Sequence, residues 1–302
     1  MDPAPQSVEQ RTTESIEVDR RVGEIIEAAH GEPFRVWSVV ITIFGDIVAP
    51  RGGAIPMSVL QRIAQSVHIE PGALRTAVSR LVKDNVWLMR EKEGRNSIYR
   101  IAREERAVFA AAEKRIYASG PQVSNGQWLT AFLSPTAPDT AVDALRDTGF
   151  LDAGNGLYLW SLTQPAPIVS IPPEATLTHG TLRLSDEARD RLAPRELNEE
   201  FEILIARYRP LMTAIEAGGR PSQREALAAR VLLIHHWRRL VLRHPDLPRD
   251  LHPLGWKGEP ARDLVGRLYR RLLPYREAWL ARSGFDWGER MGETEAALKR
   301  RF

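Results

Sequence analysis

Arg75, Thr76, Ser79, Arg80 and Lys83 place three cations and two hydroxyls on one arc of a predicted helix, and no carboxylate shares that arc. Such a surface suits ionic contact with phosphates and hydrogen bonds to base edges in the major groove of a duplex. The opposite arc is apolar, because Leu74, Ala77, Val78, Leu81 and Val82 recur at helical spacing. One face therefore packs while the other meets a ligand. A merely solvated helix usually mixes both signs of charge. Between Pro71 and Arg106 there are nine Arg or Lys against five Asp or Glu, a local excess in a chain whose net charge is only +3.

The flanking segments are those such a helix needs. Upstream, Ser58 is placed to cap a short helix carrying Val59, Leu60, Ile63 and Ala64, and His68-Ile69-Glu70-Pro71-Gly72 reads as a turn. Downstream, Val86-Trp87-Leu88-Met89 enters a charged run, and Ser97-Ile98-Tyr99-Arg100-Ile101 alternates as a half-buried strand does. Gly94 marks the tip of that hairpin, which would offer Lys92, Arg95 and Asn96 to a minor groove or a phosphate, while Tyr99 packs. Helix, turn, helix and wing predict a winged helix-turn-helix DNA-binding domain over residues 31–102. The apolar block Phe34 to Val48 is rich in β-branched residues, but its length favours a buried first helix.

A chain of 302 residues exceeds one winged helix and has room for two or three domains. It lacks a run of eighteen apolar residues, and residues 1–30 hold seven acids and three arginines, so neither a membrane span nor a secretory signal is expected and the reading is cytoplasmic. With no cysteine, disulfides, thiolate chemistry and cysteine-ligated metals are excluded. The acidic composition of residues 1–30 suggests a mobile arm, with Val22, Ile25 and Ile26 as a trace of amphipathic helix.

Beyond the wing, residues 103–120 read as a linking helix ended by Gly120-Pro121. Residues 121–194 read as a small α+β domain: a strand from Gln127 to Leu133, a helix from Asp139 to Thr148 ended by Gly149, a strand from Leu157 to Leu162, and a further strand near Leu177 to Leu184. That order suggests a ferredoxin-like sandwich whose second helix is abbreviated by the prolines of Pro165 to Ala175. Residues 195–302 become helical, with Leu197 to Ala217, Ser222 to Arg243 and Glu259 to Ala281 as predicted helices. In the middle one, Arg230 interrupts an otherwise apolar set broad enough to be encased. The fold class is thus α+β and predominantly helical.

Two other chemistries fit parts of the sequence less well. His235-His236 invites a metal, but adjacent helical side chains point about 100 degrees apart, and no acid or third histidine completes a shell, so no metal and no cofactor are expected. A ferredoxin-like domain can also belong to a metal-dependent nuclease with an aspartate at the end of its first strand. Here that strand ends Leu133-Ser134-Pro135, with no carboxylate before Asp139. No nucleophile elbow, phosphate loop or HExxH motif appears either, so an enzyme is not expected.

Three motifs resemble those of the PaaX family of bacterial repressors of phenylacetate degradation. Gly45-Asp46-Ile47-Val48-Ala49-Pro50-Arg51-Gly52-Gly53 is similar to the family's GD-x-V-x-PRGG element, and Arg75-Thr76-Ala77-Val78-Ser79-Arg80-Leu81-Val82 resembles its recognition helix. His236-Trp237-Arg238-Arg239, then Asp246-Leu247-Pro248 and Gly255-Trp256, resembles its C-terminal punctuation. The resemblance spans about residues 34–285; Asn85-Val86 departs from the family's Gly-Trp. It implies a homodimeric repressor on a double-stranded DNA operator, released by an aryl-CoA thioester. Residues 195–302 would then form the effector and dimerisation domain; they carry 21 Arg or Lys against 15 acids. His236, Arg238, Arg239 and Arg270 are the candidates for the effector's diphosphate.

Overall fold

The computed structural model describes residues 12–31, 34–83, 87–93, 96–121, 126–161, 171–193, 195–243, 247–285 and 298–302. Helices predominate, joined by two small antiparallel sheets of three and four strands. The chain divides into two compact units, one from residues 1–117, 204–239 and 263–302, the other from residues 118–203 and 240–262.

In the first unit, α1 (Thr13–Gly31) buries Val18, Val22, Ile25, Ile26 and Ala29 along one stripe. Residues 13–31 are therefore a packed helix and not part of a mobile arm. On its outer face Glu17 and Glu24 pair with Arg20 and Arg21. The apolar block after it is helical as expected: α2 (Val36–Ile43) runs into a π-helical turn, Phe44–Val48, and a 3-10 turn, Ala49–Arg51. Gly52 and Gly53 follow with φ of 86 and 74 degrees, a left-handed pair that a side chain would strain. β1 (Ala54–Pro56) leads into α3 (Met57–Ser66). Pro56, not Ser58, holds the cap position of α3, and no side chain caps it; the helix starts two residues earlier than a Ser58 cap would allow.

α4 (Pro71–Lys83) begins on Pro71, whose missing N–H would be unpaired at that position anyway. β2 (Leu88–Glu93) and β3 (Asn96–Ile101) form a hairpin in register from Leu88↔Ile101 to Glu93↔Asn96. β1 pairs with the other edge of β3, so β3 is central and buries both Ile98 and Tyr99. α3 and α2 pack against α4, and α5 (Arg106–Ile116) leaves the hairpin.

In the second unit, β4 (Gln127–Phe132), α6 (Asp139–Thr148), β5 (Leu151–Gly154), β6 (Leu157–Ser161) and β7 (Thr176–Thr181) build a sheet ordered β5-β6-β4-β7. Gly149 ends α6 at φ 97 degrees. One face of the sheet packs Trp128 and Leu159 with Leu192 and Leu247, the other Ala131 and Tyr158 with Leu145 and Phe150. α7 (Asp186–Leu192), absent from the sequence expectation, is capped by Ser185, whose Oγ accepts from the Ala188 N–H at 3.2 Å. Of the segment where an abbreviated helix was expected, residues 162–170 lie outside the described residues.

α8 (Arg195–Glu216), α9 (Gln223–Arg243) and α10 (Gly258–Ala281) complete the chain's long helices. No helix among the described residues is long and apolar enough to cross a membrane.

Candidate nucleic-acid interface

α4 is presented as its periodicity predicts. Leu74, Ala77, Val78 and Leu81 are buried, which fixes the helix rotation and leaves Arg75, Thr76, Ser79, Arg80 and Lys83 exposed. Thr76 donates its hydroxyl to the Gly72 carbonyl at 3.1 Å. Among the described residues no hydrogen bond or ion pair engages the side chains of Arg75, Arg80 or Lys83. Lys92 is exposed on β2 and likewise unengaged; Arg95 and Gly94 lie outside the described residues, and Asn96 is described only as part of β3.

A groove of about 370 Å³ opens between α4 and the hairpin, lined by Arg75, Ser79 and Lys83 on one side and by Arg90, Ser97 and Tyr99 on the other. Arg90 was not singled out in the sequence, where it is one of several alternating charges near the tip. Its signal is register: it lies opposite Tyr99, whose ring is turned inward.

The first unit also holds a buried charged hub. The π-helical turn carries Asp46 into the interior, where it is 2 % exposed beside Arg230 and Arg276, both fully buried. Its carboxylate accepts from Arg230 Nε at 3.2 Å, Arg276 Nη1 at 3.0 Å, Arg301 Nη1 at 3.2 Å and the Tyr117 hydroxyl at 2.7 Å. Arg51 binds both oxygens of Glu277, at 2.7 and 2.6 Å. Arg230 lies over the Tyr269 ring at 3.4 Å and Arg301 over the Tyr117 ring at 3.8 Å. Burial alone would raise the Asp46 carboxyl, but the three guanidiniums outweigh it and hold it well below the usual carboxylate range. Burial and the Asp46 charge push the Tyr117 phenol well above its ordinary value, so it stays a donor. The sequence marked Arg230 as an anomaly in an apolar face; its partner Asp46 is a lone acid in the Phe34 to Val48 block.

The four effector candidates do not share one environment. His236 accepts or donates at the Tyr208 hydroxyl, 2.8 Å away, and Arg238 donates to Ser38 O at 2.6 Å, Ser38 Oγ at 2.7 Å and Thr42 Oγ1 at 2.7 Å. Burial without a carboxylate partner lowers Arg238 to about 10. Arg239 is exposed, and Arg270, also exposed, donates to the Phe302 carbonyl at 3.0 Å.

Comparison with known proteins gives a consistent picture. A family model described as PaaX-like protein matches residues 35–105, and one described as PaaX-like protein C-terminal domain matches residues 193–282. The Transcriptional repressor PaaX of Escherichia coli (strain K12) is 27% identical over 277 residues, which is 86% of this chain and 87% of that protein. Among solved structures, the uncharacterized protein Rv0674 from Mycobacterium tuberculosis aligns with a TM-score of 0.50, covering 80% of this chain and 97% of its own, at 16% identity, a likeness of fold.

Proposed function

Because the chain belongs to the PaaX-like family, we propose that it is a DNA-binding transcriptional repressor of an aromatic-acid catabolic operon, cytoplasmic and without catalytic activity. The observation that carries this reading is the cationic face of α4, acid-free and unpaired among the described residues, set beside a β-hairpin. In it, residues 31–102 act as a winged helix-turn-helix and α4 lies in the major groove, with Lys92, Arg95 and Asn96 reaching from the wing. The central sheet, whose first strand lies between the third and fourth, supports a ferredoxin-like reading. A nuclease built on that domain has no support here, since β4 ends without a carboxylate.

Salt-dependent duplex binding is the direct test, because cations on a duplex displace counterions. Replacing Arg75, Arg80 and Lys83 together by Ala should weaken binding at least about a hundredfold, each charged contact being worth on the order of 1–3 kcal/mol. A folded triple variant that binds duplex as well as the parent protein would remove α4 from the interface.

The same reading makes the protein a homodimer on a two-fold operator, released by a CoA thioester whose diphosphate meets some of His236, Arg238, Arg239 and Arg270. Arg239 and Arg270 are the more accessible of these. A ligand shifts the protein only through unequal affinity for its two conformations, so tenfold release needs about 1.4 kcal/mol of coupling. Operator titrations with and without phenylacetyl-CoA measure that coupling; tight ligand binding with unchanged operator affinity would rule it out as inducer.

A further inference from the structure

The charged face of α4 is two stripes, and only one borders the hairpin. Arg75, Ser79 and Lys83 follow one another at intervals of four and line the groove, whereas Thr76 and Arg80, about 100 degrees further round the helix, do not. The facing wall comes from the hairpin. Arg90 pairs in register with Tyr99, and Lys92 with Ser97, so these side chains share one face. Arg90 reaches diagonally along that face to Ser97, whose hydroxyl accepts from Nε at 3.1 Å and from Nη2 at 2.8 Å. Two donors committed to one oxygen fix the plane of the guanidinium, and Nη1 is uncommitted among the described residues. Glu91 sits on the other face of the hairpin, where Arg100 takes it at 2.7 Å. Among the described residues no carboxylate lines the groove.

Three cations around one opening repel each other until an anion sits among them, and two hydroxyls beside them add donors for its oxygens. The ligand this describes has a single diffuse negative charge and several acceptor oxygens, which is a phosphodiester. A base edge would instead require planar donor and acceptor pairs directed at it.

We propose that this groove seats one backbone phosphate of a DNA duplex, held by Arg75, Lys83 and the Ser97-oriented Arg90, and that Thr76 and Arg80 are thereby left to read base edges. The inference rests on the duplex-binding reading above and divides its labour: the groove sets register on the backbone, and the neighbouring stripe supplies sequence preference.

The test measures binding of the full chain to a random-sequence duplex and to a duplex selected from a random pool, across a salt series. Arg90→Ala should weaken both by the same factor, about tenfold, and reduce the salt slope by about one unit. Ser97→Ala should move the same two quantities in the same direction by less, because it frees the guanidinium without removing it. Arg80→Ala should instead lower the ratio between selected and random duplex. An Arg90→Ala protein with the parent's melting temperature and an unchanged slope would overturn the proposal. So would one that loses the selected duplex while keeping the random one. A parent protein that binds no duplex at any salt overturns the underlying reading instead.

Discussion

Asp46→Asn should cost the first unit about 3–5 kcal/mol of unfolding free energy, the penalty expected when one partner of a buried ion network is removed. The substitution keeps the shape and removes the charge. It leaves Arg230 and Arg276, both fully buried, and Arg301 facing one another without their shared counterion. Glu277 cannot take over, because Arg51 and Arg276 already occupy it. Glu113, half-exposed at 50% and paired with Arg301, is the control, and Glu113→Ala should cost no more than about 1 kcal/mol. Urea unfolding followed by circular dichroism measures both. An Asp46→Asn protein within about 1 kcal/mol of the parent would mean that the arginines find another solvation and that the buried network contributes no more than a surface pair does.

Acidification should destabilise the protein well before its carboxylates titrate. Burial holds His235 down at about 2 and His236 at about 3, against an ordinary 6.5, with the nearby charges of Arg207, Arg238 and Arg239 acting in the same sense. His235 Nδ1 faces Thr42 Oγ1 at 3.1 Å and His236 Nδ1 faces the Tyr208 hydroxyl, so neither ring has an anion to welcome a proton. Below the ordinary value the unfolded chain takes up protons that the folded chain refuses. Stability is therefore complete above about pH 6.5 and falls as pH falls, by up to about 1.4 kcal/mol per pH unit for each histidine, or roughly 5 kcal/mol for the pair by about pH 4.5. The depressed Asp46 and Glu277 carboxyls also lose their contribution as pH falls, but only below about pH 4, where free carboxylates begin to protonate. The His235→Asn, His236→Gln double variant should lose most of that slope between about pH 6.5 and about pH 4.5, keeping the share of His252, whose imidazole is also held down by burial. A parent protein equally flat over that window would refute the assignment.

What could be read in advance follows the range of the forces involved. α6 and its Gly149 terminus were legible because a helix period and a left-handed cap are local signals. The packing face and the outer face of α4 were legible for the same reason. β1 was not, being three residues long, and with it went the central position of β3 that buries Tyr99. α1 was obscured by weighing composition above periodicity, although its apolar stripe was present in full. Of the candidate interface, the α4 residues are legible in the sequence, whereas Arg90 needs the hairpin register and the groove. The hub was out of reach, since nothing local links Asp46 to arginines 184, 230 and 255 residues away.

Those separations also set a clock. A ribosome adding roughly 5–20 residues per second delivers Arg301 some 10–50 s after Asp46, counting the 255 residues between them. Until Arg230 follows, 184 residues after Asp46, the π-helical turn carries a carboxylate made for burial with none of its three arginines to meet it, and the helices that flank it cannot close over it without desolvating a bare charge. The α4 surface proposed to read DNA is made early but set late, so a half-made chain is expected to be idle on the genome. Chains stalled on the ribosome before Arg230 emerges should accordingly remain open to protease across α2 to α4, and protection there on such chains would break the link between the hub and the timing.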